Sequence, residues 1–114
     1  MRLYFLGSCN AQKPLIILEN LKIQKIDFSS AVFITDGDSG MCLDFCNNNG
    51  ILVVKYQDVE EMLSADVGKD KKILISIGWP KLIEENFLNL WDAAINCHGS
   101  FLPDYRGSRS YMHY

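Results

Sequence analysis

Asn96 and His98, two positions apart near the carboxyl end of the sequence, are the residues whose types and spacing most directly allow chemistry. They sit in AINCHGSFLPDYRG, Ala94 to Gly107, where an apolar run gives way to a loop punctuated by glycine and proline. If Ala93 to Cys97 is extended, its side chains alternate faces, so Asn96 and His98 project to one side and Cys97 to the other. The amide supplies a fixed N–H donor and the imidazole a donor or proton carrier. That pairing suits stabilising an oxyanion while a proton moves in acyl transfer. No protein nucleophile is needed when the acceptor brings its own amine. For an arbitrary N-x-H pair the plainer account is the commoner one: His98 caps a loop and Asn96 satisfies backbone groups.

Such a pair works only if regular elements hold it. Arg2 to Leu6 reads as a buried strand entering the turn Gly7-Ser8-Cys9-Asn10. A helix follows, with Pro14 in its first turn and Leu15, Ile16, Leu18, Leu21 and Ile23 at mostly helical spacing. Small residues at such a turn leave backbone N–H groups free as a phosphate cradle does. There is one glycine here rather than G-x-G-x-x-G, and an ordinary tight connection is the commoner explanation. Phe28 to Thr35 reads as the second strand and runs into TDGDSG. Asp36 and Asp38 lack the spacing and terminal Glu of a calcium loop, and read as turn and helix-start residues. Met41 to Asn48 reads as a helix stopped at Asn49-Gly50, and Ile51 to Val54 as the third strand. A short helix from about Asp58 carries Val59, Met62 and Leu63, and VGKDKK, Val67 to Lys72, is a polar connection. Ile73 to Ile77 forms the fourth strand, broken at Gly78-Trp79-Pro80. Leu82, Ile83, Phe87 and Leu90 then support a short amphipathic helix. Buried strands alternating with helices call for an α/β, three-layer, Rossmann-like domain over 1–114, with a mostly parallel sheet covered on both faces. Ligands of such sheets lie beyond the carboxyl ends of the strands, where Gly7–Asn10, Gly78–Lys81 and Asn96–Ser100 converge.

Composition narrows the function classes. At 114 residues there is room for one domain, and a 48% hydrophobic content suits a globular core. A formal charge of −3 without any Lys/Arg run gives no footprint for nucleic acid by this chain alone. No apolar run is long enough to cross a bilayer. MRLYFLGSCN has no cleavable signal architecture either, so the sequence predicts a cytoplasmic protein without a membrane partner. Cys9, Cys42, Cys46 and Cys97 lack paired CxxC spacing and read as core thiols. Cys42 and Cys46 stand one helical turn apart but have no partners to complete a metal site.

The residues flanking the Asn/His pair shift its reading from the plain account to the chemical one. INCHGSFLPDYRG resembles the signature of the folate-dependent formyltransferases on Asn96, His98, Ser100, Leu102, Pro103, Tyr105, Arg106 and Gly107, and the order of elements agrees along essentially the whole chain. The resemblance implies transfer of a formyl group from 10-formyltetrahydrofolate to a primary amine on methionyl-tRNA or a nucleotide-linked amino sugar. In this reading Asn96 and His98 polarise the formyl oxygen and stabilise the tetrahedral intermediate, and His98 aids proton transfer. Trp79, Lys81, Leu82 and Ile83, with Phe87 and Leu88, match the region lining the folate pocket. Gly7, Ser8, Asn10 and Ser100 would meet the acceptor.

Two departures qualify the match. Gly99 stands where the family usually has proline, and the family's third catalytic group, a downstream aspartate, has no counterpart before Tyr114. Asp104 occupies a variable position of the motif. Ser108 to Tyr114 reads as the start of a helix without a stop, so the sequence predicts an incomplete formyltransferase domain with little activity alone. The competing class is a non-catalytic remnant that binds a nucleotide or a partner chain and self-associates through exposed apolar surface. A dinucleotide-dependent oxidoreductase is disfavoured by the single-glycine turn.

Overall fold

Arg2–Leu6 forms β1, and Tyr4, Phe5 and Leu6 are wholly buried, as an apolar run covered on both faces must be. The computed structural model describes residues 2–65 and 70–97. The helix α1, Gln12–Ile23, takes Pro14 in its first turn, where a missing N–H costs no intrahelical bond. It ends in a double hydrogen-bonded C-terminal turn. There Lys25 takes the left-handed conformation (φ 64°), its N–H donates to Lys22 (2.9 Å), and that of Ile26 donates to Leu21 (3.0 Å). A 3-10 turn over Phe28–Ser30, held by the Asp27 carboxylate accepting from the Ser29 N–H (2.9 Å), precedes β2, Ala31–Thr35. The strand predicted from Phe28 therefore starts three residues later.

The helix α2 covers Met41–Asn49 and closes at Gly50 in the left-handed conformation. The third strand, β3, is Leu52–Lys55, one residue beyond its predicted range. A 3-10 turn at Tyr56–Asp58 leads into α3, Val59–Ala65. The strands β4, Lys72–Ile77, and β5, Ala93–Cys97, are separated by α4, only Glu85–Leu88. The helix expected to include Leu82 and Ile83 is thus confined to one turn. Leu82 is 87% exposed, while Ile83 packs onto the core from an irregular segment.

All five strands are parallel in the order β3-β2-β1-β4-β5. Alternate side chains supply two cores. Phe5, Phe33 and Ile77 meet Leu18 of α1 and Cys42, Leu43 and Cys46 of α2 on one face. Tyr4, Leu6, Ile34 and Leu74 meet Val59 of α3, Phe87 of α4 and Trp91 on the other. The result is the three-layer, Rossmann-like α/β fold that the alternation of elements predicts, with a sheet parallel throughout. Among the described residues no helix is long and apolar enough to cross a membrane. Cys42 and Cys46 are core residues, and burial, with Cys42 beside it, pushes the Cys46 thiol up to about 12.

Candidate functional site

The direction of chain progression reverses between β1 and β4, and the crevice beyond the carboxyl ends of their strands is where such sheets take ligands. Gly7 leaves β1 there and Gly78 leaves β4, the latter in the left-handed conformation (φ 60°). Ser76 of β4 and Asn96 of β5 are register partners, so the two polar side chains stand side by side. They share the sheet face of Leu74 and Ala94, which packs toward α4. Cys97 packs against the opposite core, as strand alternation requires.

A cavity of about 440 Å³ opens over this corner. Asn96, Ser76 and Ala94 form its floor, and Trp79, Lys81, Leu82 and Ile83 one wall. Five residues singled out in the sequence, Asn96 with the four of the Trp79–Ile83 segment, are therefore brought together. The volume lies in the range of small-molecule sites. Among the described residues the lining also includes Lys13 of α1 and no Asp or Glu, so two ammonium groups, Lys13 and the Asp36-paired Lys81, border the cavity. Burial pushes the Cys97 thiol, at the edge of the cavity, above its ordinary value.

Gly7, Ser8 and Asn10 line neither this cavity nor its smaller neighbour. The Gly7 N–H donates to Ile34 (3.1 Å), and a Cβ at this glycine would press on Pro14 at 3.1 Å. The Asn10 Oδ1 accepts from the Met41 N–H (3.0 Å), and the Cys9 carbonyl accepts from the Cys42 N–H (2.9 Å), so the turn after β1 caps α2. Asp36 and Asp38, read as helix-start residues, do not cap it. They pair with Lys81 and Lys55. The Lys81 ammonium holds the Asp36 carboxyl below the usual carboxylate range against the opposing effect of burial. His98, Ser100 and the rest of the motif lie outside the described residues, as do positions 66–69 of the polar connection.

A second cavity of about 230 Å³ shares Trp79, Lys81 and Leu82 with the first and is otherwise bounded by residues that include Asp36, Lys55, Tyr56 and Glu84. Its aromatic base is a stack: the Trp79 and Tyr56 rings are 5.4 Å apart at 13°, and those of Tyr56 and Phe87 4.3 Å apart at 18°. Sequence reading missed Ser76, Lys13, Asp36 and Tyr56 as neighbours of the site. Only Ser76 carried a signal, as the lone polar residue in ILISI.

Fold and cavity together define the class: a Rossmann-like α/β protein with a ligand-sized, cation-lined cavity at the carboxyl edge of its parallel sheet. No protein-family model, curated protein or solved structure matches the chain.

Proposed function

We propose that the larger cavity binds 10-formyltetrahydrofolate and that Asn96 and His98 promote transfer of its formyl group to a primary amine, on methionyl-tRNA or a nucleotide-linked amino sugar. The observation that carries this reading is that Asn96, which the motif assigns to the reacting centre, lines the same cavity as Trp79, Lys81, Leu82 and Ile83, which it assigns to the donor. An apolar wall with an indole suits a flat bicyclic ring, and the two lysines suit a ligand bearing carboxylates. In the reaction the amine nitrogen attacks the formyl carbon. An oxyanion forms that the Asn96 amide stabilises, and the C–N10 bond breaks as N10 takes up the proton lost by the amine, with His98 as carrier.

Donor binding is the decisive readout. Titration with 10-formyltetrahydrofolate, or its non-transferring 5-formyl isomer, is expected to show saturable binding. Trp79→Ala should weaken it at least about 10-fold through lost ring contact, while Asn96→Ala, remote from ring recognition, should change it only a few-fold. Absence of saturable binding to the wild-type chain, or binding indifferent to Trp79→Ala, would refute the proposal.

A further inference from the structure

We propose that residues 78–84 form a movable strap, the common wall of the two cavities, which the Asp36–Lys81 ion pair holds closed and whose release opens the cavity containing Asn96. This inference is independent of what the cavity binds. Trp79, Lys81 and Leu82 line both cavities, so displacement of the segment alters the shape of each. The segment contains no helix or strand, and among the described residues no backbone hydrogen bond holds 79–83. It leaves β4 through Gly78 in the left-handed conformation, with open space where a Cβ would stand except for the Lys13 side chain at 3.6 Å. That is the conformation and clearance a hinge requires.

Glu84 anchors the far end of the strap, its carbonyl accepting from the Leu88 N–H (3.1 Å), and among the described residues three side-chain attachments hold the stretch before it. Ile83 packs against the core, Trp79 stacks on Tyr56, and Lys81 pairs with Asp36 at the end of β2. Lys81 is also 5.9 Å from the Trp79 ring centre, so its charge engages ring and carboxylate together. The first two attachments are apolar and tolerate sliding. The third alone fixes the strap to β2, and its side chains are 62% and 35% exposed, which makes it a weak tie that salt screens. Leu82, 87% exposed at the lip of both cavities, has apolar surface to cover once something enters.

The test compares Asp36→Asn, which keeps the shape and loses the charge, with Lys55→Met, which breaks the neighbouring Lys55–Asp38 pair and leaves the strap's own tie intact. Chymotryptic cleavage after Leu82, the most exposed large hydrophobic residue of the strap, is expected to accelerate several-fold in Asp36→Asn and not in Lys55→Met. Added salt should accelerate it in wild type but not in Asp36→Asn. Maleimide labelling at Cys97, which lines the larger cavity at the margin of the α1/α2 core, should accelerate with it, whereas Cys46, wholly buried inside that core, should not change. The exchanged pair Asp36→Lys/Lys81→Asp should return both rates toward wild type. Unchanged cleavage after Leu82 or unchanged Cys97 labelling in Asp36→Asn would overturn the proposal. So would a parallel rise at Cys46, which marks global unfolding, or the same effect from Lys55→Met.

Discussion

At Gly40 the chain has no room for a side chain. A Cβ there would stand 2.3 Å from the Cys9 carbonyl oxygen and 2.7 Å from its carbon, both backbone atoms, and φ is +147°. Gly50 offers the contrast, with φ +70° and nothing within 4 Å of a built Cβ. Gly50→Ala should therefore lose only the left-handed preference, about 1 kcal/mol, whereas Gly40→Ala should lose roughly 2 kcal/mol or more. Urea denaturation of the two variants measures both, and equal losses would mean that the contact with Cys9 yields. Both glycines were legible as turn residues, but what Gly40 meets was not, because Cys9 reaches it only through the tertiary fold. The same holds in the site. The motif pointed to Asn96 directly, while Ser76, marked only as the lone polar residue of its run, is set beside Asn96 by the β4–β5 register, which no local pattern encodes.

Among the elements, α2 shows how one segment is started by another. Gly40 has no side chain to cap it and Asp36 and Asp38 are engaged by lysines, so the first N–H groups of α2 are met by Asn10 and the Cys9 carbonyl. Asn10→Ala should lower stability by about 1 kcal/mol. Asn10→Asp keeps the acceptor and places a negative charge at the positive end of the helix, so it should stay within about 0.5 kcal/mol of wild type. Urea midpoints test this, and an equal loss in both variants would remove the cap from the account. Strand and helix order, and the stops at Gly7, Gly50 and Gly78, were legible because buried runs and glycine punctuation are local signals. The extent of α4 was not. Leu82, Ile83, Phe87 and Leu90 fit a helical period, yet the Tyr56 ring and the Asp36 carboxylate hold Trp79 and Lys81 in an irregular strap that propensity alone would not select.

For the molecule as a whole, the strand sequence alone implied a parallel sheet, but the order β3-β2-β1-β4-β5 depends on which edges pair after the chain reverses direction. That order brings the ends of β2 and β4 close enough for Asp36 to reach Lys81, and it thereby shapes the response of the fold to acid. Among the described residues two carboxyl groups are depressed below their ordinary value of 3.8: Asp27 by the Ser29 backbone N–H, and Asp36 first by its hydrogen bond from Lys81. A folded value below the unfolded one means that the unfolded chain binds more protons through this range. Stability from these groups is then present above 3.8 and is lost as pH falls through the lower folded values. Asp27→Asn keeps an oxygen for the Ser29 N–H while removing the titration, and Asp36→Asn removes both charge and pair. The fall in urea midpoint on going from about pH 5 to about pH 3 should accordingly be shallower in the double variant Asp27→Asn/Asp36→Asn than in wild type. Near neutral pH the Asp27→Asn single variant should be slightly less stable than wild type, because a neutral amide oxygen accepts the Ser29 N–H more weakly than the carboxylate does. Identical acid slopes in wild type and double variant would show that other carboxylates govern acid unfolding and that the tie between β2 and the strap carries no part of it.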